Sequence, residues 1–519
     1  MDSRLFLALA VSALVALRSW MRFRRAVHAV SNHPGYRTLL NTLGPIENFF
    51  PRIPYVTPGA FHMWTRKHRD FEEHGWDVIT YVAAFIGSKT NFYVADAEAI
   101  KEITTHRSRF PKPVEQYRVL TFFGGNIVAS EGDEWKRYRK IAAPAFSERN
   151  NRLVWDETRL VMQDLFAHVW GDRAEVRVAH AVDITLPIAL FVIGSAGFGR
   201  RIAWRDEDAV PPGHTLTFKE ALHTVSEHVF VRLLIPDWLL RAAPTARLAR
   251  IRDAFAELEL YMHEMIAARR AGAGADKEAR DDLFGGLLDA NDDDDARLQD
   301  SELIGNMFIF MLAGHETSAH TLCYMLALLA MHPEEQEKLY ESIKEVCRDG
   351  RLPEYEDLRS LSYCEAVLYE TLRMFPPVHS IPKSVAEDTA ITITNAAGAR
   401  TTVPMPKGSS ISLHTPGLHY NPRYWADPHT FRPARFLADW PRDAFLPFSA
   451  GPRACLGRRF SETEIVAAAA MLVLRYRVEV PPDPRFVGES WQARFERVMQ
   501  SRPGVTMTPL HVPLVFKLR

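Results

Sequence analysis

The segment from Phe448 to Phe460, FSAGPRACLGRRF, constrains the fold of this chain more than any other feature. It holds Cys455 between Gly451 and Gly457, and a helix-compatible stretch rich in Ala, Val and Leu follows it. A cysteine at the N-terminus of a helix receives backbone N–H donors and a favourable dipole, which stabilise the thiolate that a metal ligand requires. Glycine lets the backbone approach a flat ligand where a Cβ atom would clash. The segment therefore indicates a thiolate ligand, and the alternative is a buried structural cysteine in a glycine-rich turn.

The composition excludes several other classes of protein. The remaining cysteines, Cys323, Cys347 and Cys364, lie far apart and form no CxxC pair, which makes a disulfide scaffold or a structural zinc site a poor interpretation. Lys and Arg number 63 and Asp and Glu 64, so the charge balance gives no reason to expect a polyanionic partner. With 519 residues, of which 47% are hydrophobic, the chain can bury a large core.

A long apolar segment with helical periodicity runs from Ser301 to about Met331. Near its middle stands AGHETS, from Ala313 to Ser318. Glycine and threonine weaken the regular hydrogen-bond ladder there, because a threonine hydroxyl can bond back to a carbonyl and open space beside it. The sequence therefore predicts a helix that crosses the whole domain and carries an acid and an alcohol at an irregular point.

The same helix raises the alternative of a zinc site. His315, Glu316 and His320 form the pattern HExxxH. Residues five apart diverge on a helix, whereas the zinc motif HExxH places its two histidines four apart on one face. The spacing therefore disfavours zinc.

Two further patterns carry charge. Glu370 and Arg373, in YETLRMFPP, share one helix face, and Arg435 follows in FRPARF. For an arbitrary ExxR the ordinary interpretation is a surface pair that contributes almost nothing to stability. Trp135 and Arg139, in WKRYR, lie four apart on a predicted helix and have the ordinary interpretation of an amphipathic face.

Together these patterns resemble the motifs of the cytochrome P450 superfamily, in the family's order. The haem-binding pattern F-x-x-G-x-R-x-C-x-G is matched at its five fixed positions by Phe448, Gly451, Arg453, Cys455 and Gly457. AGHETS resembles the oxygen-activation motif A/G-G-x-D/E-T-T/S, and the ExxR and PxRF elements follow it. The run over residues 417–459 looks most like the microsomal enzymes of fungi, particularly basidiomycete-type ones.

The resemblance implies a role for each of these residues. Cys455 would be the axial ligand of the haem iron, and Glu316 and Thr317 would be the catalytic pair that delivers protons to dioxygen. The implied cofactor-binding residues are Trp135, Arg139, Lys383, Phe448, Arg453, Cys455 and Gly457, and the implied structural brace is Glu370, Arg373 and Arg435. Lys383 stands where many relatives have arginine, which keeps the charge for a haem propionate and loses the bidentate fork.

The implied fold is mainly α with a minor β portion, namely a triangular helical domain with a long central I helix and small β-sheets. The implied function is a haem-thiolate monooxygenase that inserts one oxygen atom from O2 into a lipophilic substrate, in terpenoid or other secondary-metabolite biosynthesis. Haem b would be the cofactor, with electrons from NADPH through NADPH–cytochrome P450 reductase and with cytochrome b5 as an optional partner. The alternatives are a xenobiotic or fatty-acid hydroxylase, a reductase-independent isomerase or dehydratase, and a haem sensor.

The N-terminus predicts attachment to a membrane. Leu5 to Leu17 is apolar, and Arg22, Arg24 and Arg25 follow it, an arrangement that leaves the body of the protein in the cytosol by the positive-inside rule. We predict a single-pass anchor in the endoplasmic reticulum membrane over residues 1–21, with a cleaved signal peptide as the alternative because the apolar run is short. A Pro/Gly-rich irregular connector over 22–62 and a catalytic domain over 63–519 complete the predicted organisation.

The family resemblance also suggests which segments contact substrate. They are residues 113–124, 218–230, 310–313 and 378–381, which are rich in Phe, Val, Leu and Ile. Such residues suit a lipophilic ligand and suit an ordinary core equally well. The sequence therefore predicts the class of substrate and does not select a compound.

Overall fold

A computed structural model of the chain describes residues 3–40, 50–84, 90–204, 210–242, 245–271, 282–292, 297–348 and 350–519. The α-helices in these ranges are α1 (Ser3–Ala29), α2 (His62–Arg66), α3 (Arg69–His74), α4 (Ala97–Thr105), α5 (Gly132–Ala142), α6 (Glu148–Asp164), α7 (Val182–Val192), α8 (Phe218–Leu234), α9 (Asp237–Ala242), α10 (Ala246–Ala271), α11 (Leu283–Asp292), α12 (Asp300–Met331), α13 (Pro333–Val346), α14 (Ser362–Met374), α15 (Thr415–His419), α16 (Arg458–Arg475) and α17 (Trp491–Val498). The prediction of a mainly helical chain is confirmed.

The β portion is small, as predicted. Its strands are β1 (Gly35–Thr38), β2 (Val78–Ala83), β3 (Thr90–Val94), β4 (Glu175–Val178), β5 (Ser380–Ser384), β6 (Thr389–Thr394), β7 (Arg400–Met405), β8 (Ser410–His414), β9 (Tyr476–Glu479), β10 (Ser501–Pro503), β11 (Met507–Pro509) and β12 (Leu514–Leu518). The largest sheet has the order β1-β2-β3-β8-β5, in which β1–β2 and β3–β8 are parallel pairs and the other two pairs are antiparallel. The other sheets are β4-β12-β9, β6-β7 and β10-β11.

Helix α12 forms the centre of the helical part and extends over 32 residues, close to the predicted bounds. It packs against α7, α14 and α16, and its residues from Leu303 onward are buried over most of its circumference. A helix that is apolar all round is stable only when other elements surround it, which explains its near-continuous apolar sequence. At its start, Glu302 accepts hydrogen bonds from Arg137 and Tyr138, so the helix is fixed to α5.

The N-terminal region differs from the predicted connector. Helix α1 continues to Ala29, and β1 pairs with β2 so that Tyr36 lies opposite Tyr81. Residues 22–62 therefore include the end of a helix and a sheet strand, and not only irregular chain. Residues 41–49 of the predicted connector lie outside the described residues.

In the part of the chain that the structure describes, no helix is both long and apolar enough to cross a membrane. This finding does not support the transmembrane helix predicted over residues 1–21. The physical reason is the short apolar run from Leu5 to Leu17, which Arg4 and Arg18 bound on either side.

Candidate functional site

The Cys455 loop leads directly into α16. A single helical turn over Gly451–Arg453 precedes it, and the Cys455 N–H donates to the Phe448 carbonyl at 2.9 Å. Gly451 has φ 66°, and a Cβ atom there would lie 2.7 Å from the Thr104 carbonyl oxygen in α4. Only glycine fits this turn without displacing α4, so the glycine lets the loop pack directly against α4.

Burial raises the pKa of the Cys455 thiol, while the Gly457 N–H and the Arg139 guanidinium act in the opposite direction. The N-terminus of α16 therefore favours the thiolate, in the direction that the sequence suggested, but does not outweigh burial. A bound metal ion would do so, because a coordinating thiol loses its proton outright.

Cys455 opens onto a cavity of about 350 Å³. The structure brings all seven predicted cofactor-binding residues to its wall, together with part of α12: Trp135, Arg139, Lys383, Phe448, Arg453, Cys455, Gly457, Ala313, Gly314 and Thr317. Most of the remaining wall is apolar and includes Ile127, Val128, Phe310, Leu372 and Val378. Residues far apart in sequence thus form one concave site, the arrangement expected of a cofactor and substrate pocket.

The acid and alcohol of α12 have different surroundings. Thr317 lines the cavity, and its hydroxyl donates to the Ala313 carbonyl at 2.7 Å, the back-bond expected from the sequence. The Thr321 hydroxyl donates in the same way to the Thr317 carbonyl at 2.7 Å. Glu316 is not among the residues that line the cavity, and its Oε2 is buried without a hydrogen-bond partner. Burial raises the pKa of Glu316 to about 7.

The zinc alternative finds no support in the described part of the chain, where no group of three or more His, Cys, Asp or Glu side chains could hold a metal ion. His315 and His320 are engaged elsewhere. His315 Nδ1 lies 2.7 Å from the Met311 carbonyl oxygen, and His320 Nδ1 lies 2.9 Å from the Thr506 hydroxyl.

Cations gather at one edge of the cavity. The guanidinium group of Arg453, which lines the cavity, lies 4.6 Å from the centre of the Trp135 ring, and that of Arg107, which lies behind this edge, is 4.5 Å from the same ring. Arg453 also bonds to the Ser130 carbonyl and to Glu131, yet its Nε and the Nη1 of Arg107 are buried without a hydrogen-bond partner. Buried donors without partners are costly, so this edge is suited to a ligand that brings acceptors.

Lys112 belongs to this edge, although the sequence analysis did not identify it. Its Nζ lies 3.6 Å from the Tyr117 ring centre, and both side chains line the cavity. Burial and, after it, the positive charge of Arg453 lower the pKa of Lys112 to about 7 and that of Lys383 to about 8. No sequence motif includes Lys112, because the cations beside it come from distant parts of the chain.

Glu370, Arg373 and Arg435 lie away from the cavity and form a buried ion cluster. Arg373 donates to both Glu370 oxygens at 2.7 and 2.8 Å, and Arg435 Nε donates to Oε1 at 3.1 Å. Both Glu370 and Arg373 have fully buried side chains, so the interpretation as a surface pair is wrong. Arg373 also donates to the His419 carbonyl, and His419 Nε2 accepts from the Leu446 N–H just before the Cys455 loop. The cluster therefore connects α14 to the chain that enters the loop.

These residues fit a haem group. The Cys455 thiol supplies a metal ligand, the apolar wall suits a flat macrocycle, and buried cations with unpartnered donors suit its two carboxylates. A mainly helical fold around a thiolate-ligated haem defines the haem-thiolate class of proteins.

The comparisons identify the family within that class. The sequence model described as cytochrome P450 matches residues 67–496, and the chain belongs to the cytochrome P450 family. The protein is similar to "Cytochrome P450 monooxygenase 124" of Postia placenta, with 53% identity over 100% of both chains. It also resembles "Cytochrome P450 monooxygenase prx9" of Penicillium rubens, with 29% identity over 88% of this chain and 84% of the relative. The predicted class, a cytochrome P450 monooxygenase of basidiomycete type, is confirmed.

The fold agrees with a solved structure. The crystal structure of the cytochrome P450DA haem domain superposes with a TM-score of 0.69 over 87% of this chain and 91% of that one, at 24% identity. The predicted cytochrome P450 fold is confirmed. Membership of the family implies a haem-thiolate cofactor, O2, a small-molecule substrate and a redox partner.

Proposed function

We propose that this cytochrome P450 inserts one atom of O2 into a C–H or C=C bond of a lipophilic small molecule, and that the Cys455 thiolate would bind the iron of haem b. The observation that carries the proposal is the shared cavity, whose wall includes the Cys455 thiol, the Thr317 hydroxyl and a predominantly apolar surface. Haem, when bound, supplies the iron chemistry that activates O2. The chain's own residues bind and orient the reactants and hold protons.

The cations at the cavity edge would hold the haem propionates. We assign this role to Arg139, Lys383 and Arg453, with Trp135 as the ring on which the guanidinium groups pack. We add Lys112, because it lies at the same edge and is itself buried. Arginine can form paired hydrogen bonds with a carboxylate, whereas each lysine contributes a point charge.

Thr317 and Glu316 would control proton supply. The Thr317 hydroxyl already donates to a backbone carbonyl, so its oxygen is left to accept a hydrogen bond from water in the cavity. A Glu316 carboxyl with a pKa near neutrality can both hold and release a proton under working conditions. Because Glu316 does not line the cavity, the proposal requires water or a side-chain rotation between the two groups.

Phe448 and Gly457 would complete the cofactor pocket, and the Glu370–Arg373–Arg435 cluster would brace it. Phe448 lines the cavity, and the Arg458 guanidinium packs over its ring at 5.3 Å. We further propose residues 63–519 as the catalytic domain, a range that contains the whole region matched by the family.

The substrate class follows from the apolar cavity wall and from the names of relatives. The chain is 28% identical to "Pentalenene oxygenase" of Streptomyces avermitilis and 28% identical to "Cyclooctat-9-en-7-ol 5-monooxygenase" of Streptomyces melanosporofaciens. Both names describe oxygenation of an unsaturated molecule, pentalenene in the first and the alcohol cyclooctat-9-en-7-ol in the second. We therefore propose a terpenoid or similar secondary metabolite, and a fatty acid or xenobiotic remains the second candidate.

The proposed function also requires an electron donor and a location in the cell. We propose NADPH–cytochrome P450 reductase as the electron donor, with cytochrome b5 as an optional second donor. We propose that the protein associates with the endoplasmic reticulum membrane and faces the cytosol. Exposed apolar side chains on α1, among them Phe6, Leu9 and Leu14, support contact with a membrane surface, and the arginines that follow would lie at its charged boundary.

The first experiment tests thiolate ligation. The purified protein and a Cys455→Ser variant are reduced, exposed to carbon monoxide and compared by difference spectroscopy. The long-wavelength Soret band of a thiolate ligand should appear in the native protein and disappear in the variant. A native protein that binds no haem, or a band unchanged in the variant, would overturn the assignment.

The second experiment separates a monooxygenase from a reductase-independent isomerase. Terpenoid substrates are incubated with O2, with and without NADPH and the reductase. Product that forms only when NADPH and the reductase are both present supports the monooxygenase. Product that forms without them supports the isomerase. Binding without any turnover would favour a haem sensor.

A further inference from the structure

A wide π-helical turn over Ile193–Gly197 follows α7 and packs against α12. Its backbone is fixed on two sides. The Asn150 side chain donates to the Ala196 carbonyl at 2.9 Å, and the Arg200 N–H donates to the Gly194 carbonyl at 2.8 Å. The first residue of the turn, Ile193, therefore has little freedom to move with its backbone.

The Ile193 side chain lies between two glycines. A Cβ atom at Gly314 in α12 would lie 3.0 Å from Ile193 Cδ1 and 3.3 Å from its Cγ1, and a Cβ atom at Gly197 would lie 2.9 Å from Cδ1. Ile193 is 3% exposed and lines the same cavity as Cys455. Its δ-methyl group thus fills the space that both glycines leave open, beside the cavity.

Gly314 is one residue from Ala313, whose carbonyl accepts the Thr317 hydroxyl. We propose that Ile193 is a positioning residue: its δ-methyl group, seated against Gly314, holds this turn of α12 in place and sets the free space beside the Thr317 hydroxyl. The inference rests on the proposed function, because it assigns a role at the same cavity.

Close packing explains how a substitution at Gly314 would change the cavity. Interiors packed at crystal-like density respond to a single methyl group, and an added methyl group displaces its neighbour. If alanine replaces Gly314, the Ile193 δ-methyl group must move, and the backbone of the turn, which its hydrogen bonds hold in place, limits movement on the side away from α12. The open direction is the cavity, so free space beside Thr317 should shrink.

The test measures that space with imidazole as a probe. Imidazole is titrated into the ferric holoprotein and its dissociation constant is read from the Soret shift. We expect Gly314→Ala to weaken imidazole binding about tenfold, a change of about 1.4 kcal/mol. The double variant Gly314→Ala with Ile193→Val lacks the clashing methyl group and should recover native binding to within about twofold.

The matched control is Ile188→Val in α7. It deletes the same methyl group from a buried isoleucine that does not line the cavity, and it should not rescue Gly314→Ala. Rescue by Ile188→Val, or a native dissociation constant in Gly314→Ala, would overturn the proposal. Thermal melts separate local from global effects, because alanine in a helix interior should by itself stabilise α12.

Ile193→Val alone gives an independent measurement if Gly314→Ala takes up no haem. The extra space should strengthen binding of the bulkier probe 4-phenylimidazole and leave imidazole nearly unchanged. Unchanged binding of both probes would overturn the inference. Absence of the thiolate Soret band from the native protein would overturn the proposed function. An intact band together with unchanged binding of both imidazole probes would contradict only the role of Ile193.

Discussion

Glu464 is a buried carboxyl on α16, next to the polar pair of Ser318 and Ser461, whose hydroxyl oxygens lie 3.1 Å apart. Burial raises the pKa of Glu464 to about 8, and the Ser318 hydroxyl only partly opposes this. In the unfolded chain a glutamate titrates near 4.3. The folded protein therefore holds a proton that the unfolded chain releases, and its stability should fall as the pH rises from about 4.3 to 8, by about 1.4 kcal/mol per pH unit from this group.

The Glu464→Gln variant should remove that loss, because an amide has no proton to release in this range. We expect the variant to melt at a higher temperature than the native protein at about pH 8 and at nearly the same temperature at about pH 5. Thermal melts of both holoproteins across this range measure the difference. The control Glu341→Gln changes an exposed glutamate on α13 and should follow the native curve. Parallel curves for Glu464→Gln and the native protein would contradict the buried charge state.

Arg373 illustrates the cost of removing one partner from a buried ion cluster. Its guanidinium contacts both Glu370 oxygens and the carbonyls of His419 and Pro428, with no exposed surface. Arg373→Ala leaves the Glu370 charge buried with fewer partners, which costs about 3–5 kcal/mol. Because the cluster supports the chain that enters the Cys455 loop, haem should also be lost.

Haem content per chain and the melting temperature test the Arg373 prediction together. Arg373→Lys should show an intermediate loss, because lysine keeps the charge and cannot make the same set of planar hydrogen bonds. The control Arg348→Lys alters an exposed pair with Glu345 and should change neither quantity. Full haem content in Arg373→Ala would show that the cluster does not support the loop.

At the scale of elements, His214 attaches the chain before α8 to helix α10. Its ring stacks on Tyr261 at 3.8 Å, and its two nitrogens lie 2.7 and 3.1 Å from carboxylate oxygens of Glu257 and Glu264. The neighbouring Thr215 also donates to Glu257 from its N–H and its hydroxyl. Without the imidazole, the two Thr215 bonds and the bond from the Tyr261 hydroxyl to the Leu216 carbonyl would remain, so the segment would be held less firmly and should open locally more often.

His214→Ala should therefore speed amide hydrogen exchange in residues 210–220 about tenfold or more, with little change in α12. Peptide-level exchange followed by mass spectrometry measures both regions in one experiment. Glu264→Gln, which alters the more exposed contact, should have a smaller effect. Equal exchange in His214→Ala and the native protein would mean that the α8–α10 packing alone holds this segment.

The elements also explain what the sequence could and could not predict. Helix α12 was predictable because its apolar periodicity is local and long, and the Cys455 loop because its glycines and cysteine lie within ten residues. Strand β1 was not, because it is defined by pairing with β2 far along the chain. Lys112 was missed for the same reason, since Arg453 and Lys383 come from distant segments.

At the scale of the whole molecule, buried histidines set the response to acid. Burial is the main cause that lowers the pKa of each: to about 4 in His62, His315 and His379, to about 3 in His320 and His419, and well below its usual value in His414. They lie in different parts of the fold, from the sheet to α12, so their titration concerns global stability.

These histidines stay neutral in the folded protein, whereas the unfolded chain takes up protons below about pH 6.5. Stability should therefore fall as the pH drops from about 6.5 to 5, and each histidine contributes about 1.4 kcal/mol per pH unit at the steepest. Denaturant unfolding of the holoprotein across this range gives the number of protons taken up from the slope of free energy against pH. We expect more than about three protons.

Single variants show which histidines produce the slope of unfolding free energy against pH. His320→Gln should reduce it by close to one proton, because a glutamine amide does not titrate and can still bond to the Thr506 hydroxyl, which lies 2.9 Å from the native ring nitrogen. His168→Gln, which changes a half-exposed histidine, should leave it nearly unchanged. Ordinary carboxylates titrate mostly below this range. Glu316 and Glu464, whose pKa values are raised to about 7 and about 8, act in the opposite direction, because the unfolded chain releases their protons here, so they reduce the slope and cannot produce it. A slope of one proton or fewer in the native protein would mean that these imidazoles become charged without unfolding, and water would then have to reach the interior beside α12.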